Sequence, residues 1–156
     1  MNIKLFFQAI IKYVLGVIII GALLFAPANS FEYWTVLPKA VTIVSSILFI
    51  IAYILYAEVL RENTYLSRTI EVQENQKVID TGLYGIVRHP MYAVTIVLFL
   101  TMPLILGSII SFVIFLIYPI IIGKRIKNEE KVLERDLKGY AEYKKKVKFK
   151  VIPFVW

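Results

Sequence analysis

The chain's single histidine stands in Val87-Arg88-His89-Pro90-Met91-Tyr92, where a polar stretch turns into a long apolar run. Proline lacks an N–H and has a fixed φ, which suits the first position of a helix. The residue before a proline is pushed toward extended geometry, so His89 is expected as a cap rather than inside the helix. Arg88 and His89 would then lie at the positive end of an apolar helix, where free backbone N–H groups also point, and such an end holds anions. The plainer reading of His89 is a cap or an interfacial hydrogen bond. Just upstream, Gly82 and Gly85 bracket Tyr84 and allow a tight bend or a close backbone approach to a ligand.

A second constellation is Glu129-Glu130. At 100° per residue, Ile122, Ile126, Leu133, Leu137 and Tyr140 fall on one helix face, with Lys127, Lys131, Arg135 and Lys138 opposite. Glu130 lies beside Ile126 and Leu133, on the apolar side. A carboxylate there is costly unless a partner neutralises it. That partner is either a ligand or a salt bridge to Arg125 or Arg88. Tyr92, Tyr140 and Tyr143, taken singly, read as interfacial or packing residues.

These residues need elements to position them, and the apolar runs supply those. Residues 5–26 are apolar apart from Gln8 and Lys12, long enough to cross a hydrocarbon core. Ala26-Pro27-Ala28 resembles a signal cleavage site, but the stretch reads as a first span. Residues 39–59 form a second span, and 91–106 and 109–122 a third and fourth. The last two are joined by Gly107-Ser108 alone, which makes an antiparallel helical hairpin. Pro103 and Pro119 should kink or break them. Residues 61–87 are a polar connection, read as a small hairpin or an ordered loop. Residues 124–147 read as a cytosolic amphipathic helix, broken at Gly139, and 151–156 as an apolar end that docks on the protein or the bilayer. The expected fold class is therefore all-α integral membrane: four transmembrane helices, a tight final hairpin and a C-terminal amphipathic helix, in one domain over 1–156.

Composition and charge agree with that frame. Of 156 residues, 59% are hydrophobic, well above the share usual for a soluble domain. The net charge of +7 comes mostly from the tail, and beside apolar spans a basic tail points to the membrane face rather than to nucleic acid. The chain has no cysteine, which excludes disulfides and thiolate nucleophiles. With one histidine, an all-protein zinc site is not expected. Of the 18 Lys and Arg, only Lys39 falls in the loops after spans one and three. The positive-inside rule then places both termini, Arg88, His89 and the C-terminal helix in the cytosol.

Taken together, the two constellations resemble a known family. Gly82-x-Tyr84, Val87-Arg88-His89-Pro90-x-Tyr92, Arg125-x-x-x-Glu129-Glu130-x-x-Leu133, Gly139-Tyr140-x-x-Tyr143 and Ile152-Pro153 are similar to the isoprenylcysteine carboxyl methyltransferase family, whose relatives include membrane phospholipid N-methyltransferases. Arg61-x-Asn63-x-x-Leu66-Ser67 resembles its short bacterial members. The resemblance covers roughly residues 55–156. It departs from the family pattern at Leu83, where proline is common, and at Val94, where glycine is common; Val94 fills space and alters the shape open to a substrate.

The resemblance implies S-adenosylmethionine as methyl donor, held by Tyr84, Arg88, His89, Tyr92, Arg125, Glu129 and Glu130, with His89, Arg88 and Glu130 nearest the chemistry. It implies a lipophilic acceptor entering from the bilayer. Methyl transfer from a sulfonium needs alignment and a desolvated pocket and no metal. The donor's carboxylate suits Arg88, His89 or the helix N-terminus, its amino and ribose groups suit Glu129 or Glu130, and its cationic sulfur suits the tyrosine faces. Two other readings compete: a membrane reductase using a reduced nicotinamide, and a small four-span transporter. The transporter lacks a mid-span ionisable group, since Lys12 and Glu58 both lie near span ends.

Overall fold

A computed structural model describes residues 11, 14–16, 18–22, 37–66 and 70–156. The expected first span, 5–26, lies outside the described residues except for 11, 14–16 and 18–22, which are helical. Every other regular element is also helical, and no strand occurs among the described residues.

Helix α1 spans Lys39–Glu62. Ser45, Ala52 and Val59 recur every seven residues and are its buried positions. Two of these three are small, so the backbone of α1 can lie close along its principal neighbour, α2 (Pro90–Ile105). The opposite faces leave Ile43, Ile47, Ile50 and Ile54 exposed, which is a lipid-facing pattern. The helix runs past the expected end at residue 59 and closes where Asn63 N–H donates to Val59 O at 3.0 Å.

Helix α2 ends in Leu106 and Gly107, whose φ of +71° turns the chain without a Cβ clash. Ser108 then caps α3 (Ile109–Phe115) by accepting from Ser111 N–H. The short α3 leads through Leu116 into α4 (Ile117–Asp136). Here the expected boundaries change. The break lies at Leu116, not between residues 122 and 124, because Pro119 has no N–H to offer the Phe115 carbonyl. The apolar segment and the charged segment beyond Gly123 are therefore one rigid rod. Phe99 of α2 stacks on Tyr118 at 4.5 Å and on Phe115 at 5.9 Å, fastening the break to its neighbour.

Among the described residues two helices, Lys39–Glu62 and the run Ile109–Asp136, are long and apolar enough to cross a membrane. The 16 residues of α2 give about 24 Å at 1.5 Å each, short of a hydrocarbon core of roughly 30 Å. Gly139 (φ +88°) breaks the C-terminal segment as expected and starts α5 (Tyr140–Lys146). The described parts of the connection, 63–66 and 70–87, form a loop without strands rather than a hairpin. It turns at Asn75 (φ +59°) and is tied by Gln73 Nε2–H donating to Tyr65 O at 3.1 Å.

Candidate functional site

Arg88 and His89 are placed by backbone before any side chain acts. Arg88 N–H donates to Phe149 O at 2.9 Å and His89 N–H to Lys150 O at 2.8 Å, so the C-terminal segment lies against them. His89 is the residue before α2 and Pro90 is its first residue, as the pre-proline geometry requires. The imidazole makes no capping bond. It is buried between two carboxylates instead, with Nε2 3.4 Å from Glu130 Oε1 and Nδ1 3.8 Å from Glu129 Oε1.

Glu130 carries the centre of this network. It is 5% exposed, on the buried stripe of α4 beside Ile122 and Ile126. Its Oε1 accepts from Arg88 Nε at 2.8 Å, and its Oε2 lies 3.0 Å from Lys150 Nζ. Burial alone would raise the carboxyl pKa, but hydrogen bonds from His89, Lys150 and Arg88 outweigh it and hold the pKa down at about 2. Arg88 Nη1 also donates to the carbonyls of Val147 (2.7 Å) and Lys148 (2.8 Å). The plainer sequence reading, a salt bridge between Glu130 and Arg88, is therefore present. The guanidinium meets protein acceptors at both Nε and Nη1, so it stands as a fixed cationic wall rather than a free fork.

Glu129 turns the other way, as one residue along a helix requires. Tyr92 Oη donates to Glu129 Oε2 at 2.5 Å and accepts from Arg125 Nε at 2.7 Å. The Tyr92 ring stacks on His89 at 5.8 Å, which joins the two carboxylate clusters. Tyr84 lies in a 3-10 turn, Gly82–Gly85, that needs its first glycine: φ is +50°, and a Cβ there would fall 1.8 Å from Glu62 Oε2. Tyr84 Oη accepts from Asn63 Nδ2–H at 2.8 Å, and burial pushes its pKa up to about 12.

A cavity of about 100 Å³, opening to a wider mouth, lies among these elements. Its charged wall is formed by Arg88, His89, Tyr92 and Glu129, and its aromatic wall by Tyr84, Tyr140 and Tyr143 with Val78, Leu133 and Leu137. Tyr143 Oη donates to Tyr84 O at 2.8 Å, whereas the Tyr140 hydroxyl is buried with no hydrogen-bond partner. Burial raises the pKa of both phenols, so both are neutral donors at neutral pH.

All seven residues picked from the sequence thus fall in one region, six of them linked by side-chain contacts between α2 and α4. Sequence reasoning missed Lys150 as a Glu130 partner, Asn63 as the Tyr84 anchor, and Tyr140, which it took as packing. Asn63 had a signal in Arg61-x-Asn63. Lys150 had none, being one lysine of a basic tail.

Apolar helices long enough to span a bilayer, with a charged and aromatic cavity at their polar end, fit a helical membrane protein. The model of the isoprenylcysteine carboxyl methyltransferase (ICMT) family matches residues 36–135, and the chain belongs to that family. The match runs from α1 through nearly all of α4 and includes both Arg88-His89 and Glu129-Glu130; the Gly139-Tyr140 and Ile152-Pro153 motifs lie beyond it. No curated protein sequence matches the chain.

Proposed function

We propose that the chain, acting as one domain over 1–156, transfers a methyl group from S-adenosylmethionine to a lipophilic acceptor at the cytosolic membrane face, with both termini in the cytosol. The observation that carries the reading is the direct contact of Arg88-His89 with Glu129-Glu130 beside a cavity at the polar end of apolar helices. Family membership supports the donor. The chemistry of the lining suits it: one part is charged, another is aromatic, and the aromatic part holds a buried hydroxyl in want of an acceptor. A nucleoside with a zwitterionic side arm has the same polarity.

In this reading Arg88 and His89 form the positive side that faces the donor's carboxylate. Glu129, whose Oε2 is held by a Tyr92 hydroxyl that Arg125 orients, takes the amino or ribose groups. Tyr84, Tyr140 and Tyr143 enclose the base. Glu130 holds Arg88, His89 and Lys150 in register, so its role is positioning. The donor supplies an electrophilic methyl on a sulfonium. The protein's residues align it, exclude water and offer ring faces that tolerate the positive charge. The acceptor is a lipid or lipid-modified carboxyl, hydroxyl, amino or thiol compound that enters between helices from the bilayer.

The test is binding of S-adenosylhomocysteine to purified protein in nanodiscs, followed by transfer of labelled methyl groups to membrane lipid extracts. Saturable binding with label in an organic-soluble product is the expected result. Binding of a reduced nicotinamide in its place would assign the cavity to a reductase.

A further inference from the structure

Ile152, Phe154 and Val155 form an apolar knob that the described residues leave exposed, at 52%, 89% and 76%, with Phe149 as an aromatic neighbour of Phe154. The knob is built rather than frayed. Lys150, Val151 and Ile152 N–H all donate to Trp156 O at 2.9, 2.9 and 3.0 Å, and Trp156 N–H returns to Ile152 O at 3.1 Å. Phe154 has φ +64°, a left-handed conformation uncommon for a bulky residue, and it throws the ring outward.

The position of the turn identifies what it meets. The Trp156 ring packs at Gly123, where an added Cβ would lie 3.5 Å from it. Val151 is buried against Tyr92, Ile122 and Ile126. The knob therefore lies level with the point where α4 changes from exposed isoleucines (Ile117, Ile120, Ile121) to Lys124 and Lys127. Lys124, Lys127, Lys131 and Lys150 line one groove on that part of α4. Apolar side chains next to lysines, at the end of an apolar span, match the acyl–headgroup boundary of an anionic bilayer.

We propose that the turn at 152–155 is an interfacial membrane anchor whose seating in the bilayer holds residues 149–150 over Arg88 and His89. The connection is short. Phe149 O and Lys150 O accept the Arg88 and His89 amides, Lys150 Nζ lies over the Trp156 ring at 5.4 Å, and the same nitrogen lies 3.0 Å from Glu130 Oε2. The bilayer-facing turn and the charged network thus share one lysine. The anchor itself does not depend on the methyl-transfer reading; only its consequence for donor binding rests on that reading.

The chain has no cysteine, so Phe154→Cys accepts a single environment-sensitive fluorophore. The protein is placed one copy per nanodisc in phosphatidylglycerol and phosphatidylcholine, and Lys138→Cys, beyond the polar end of α4, serves as the aqueous control. The expected result is blue-shifted emission at 154, quenched by brominated acyl chains and shielded from iodide, with the reverse at 138. Emission at 154 that behaves like that at 138 overturns the anchor, whether the knob then faces water or awaits a second copy. The second arm is hydrogen exchange of wild type against the double variant Phe154→Asp, Val155→Asp in the same discs. Exchange at the Arg88 and His89 amides should accelerate at least roughly tenfold while α1 amides stay unchanged. Equal protection at 88 and 89 in both proteins overturns the coupling. Failure of wild type to bind S-adenosylhomocysteine would sink the methyl-transfer reading and alter neither measurement.

Discussion

The two walls of the cavity solve the problem of buried polarity in opposite ways. On the charged wall every ionic group has protein partners: Glu130 meets Arg88, His89 and Lys150, and Glu129 meets Tyr92, which Arg125 also holds. On the aromatic wall two hydroxyls are bound, at Tyr84 and Tyr143, and the one at Tyr140 is left without a partner among the described residues. A satisfied buried network fixes geometry, whereas an unsatisfied donor is a standing cost that a ligand can relieve. The charged wall therefore belongs both to the fold and to the site, and mutations there should disturb stability and binding together. The aromatic wall should let the two be separated.

The largest effect is expected from Glu130→Gln. Removing that charge leaves Arg88 buried without a counter-ion, and breaking a buried pair costs about 3–5 kcal/mol. Denaturant unfolding in detergent measures the loss, and S-adenosylhomocysteine affinity should fall roughly ten- to a hundredfold with it, because Arg88 and His89 are no longer held for their charge-assisted contacts to the ligand. Arg88→Lys should fail in the same direction, since a point charge cannot serve Glu130 and two carbonyls at the angles of a planar fork. Unchanged stability in either variant would break the contrast between the walls.

Acid should act on the charged wall alone. Glu130 titrates at about 2 in the folded protein against an ordinary 4.5, so its stabilisation is complete above 4.5 and is lost as pH falls from there through 2. The shift corresponds to about 3 kcal/mol as an upper bound. Glu130→Gln should flatten this limb of the pH–stability curve. If wild type and variant lose stability in parallel between pH 4.5 and 2, the dependence arises elsewhere, for example at the exposed Asp80–Lys146 pair, where Lys146 lowers the Asp80 pKa.

The same contrast explains what could be read from the residues in order. The charged wall was legible because its logic is local: a proline fixes His89 as the cap, and an angular count puts Glu130 on the buried stripe. Pro119 announced a break, but the break appears at Leu116 because the carbonyl that loses its donor lies one turn earlier. The Phe149 and Lys150 carbonyls that hold Arg88 and His89 left no trace in the sequence, since any residue offers a carbonyl and the pairing joins segments about 60 residues apart. Tyr140 was read as packing, and it is packed; only its surroundings in three dimensions reveal a hydroxyl without a partner.

The smallest stability effect, and the sharpest contrast, is expected from two matched substitutions on the aromatic wall. Tyr143→Phe removes a hydroxyl that donates to Tyr84 O, so it should destabilise the ligand-free protein by about 1 kcal/mol. Tyr140→Phe removes a hydroxyl that has no partner, so the ligand-free protein should keep its stability or gain a few tenths of a kcal/mol. The order reverses with S-adenosylhomocysteine present. If Tyr140 Oη–H donates to the bound molecule, Tyr140→Phe should weaken binding roughly tenfold, the equivalent of about 1.4 kcal/mol. Tyr143→Phe, whose hydroxyl stays engaged with the backbone, should change affinity much less. Thermal unfolding with and without ligand, on both variants and wild type, reads all four quantities. A Tyr140→Phe protein that is less stable without ligand and binds as wild type would make Tyr140 an ordinary core residue and remove the distinction between the two tyrosines.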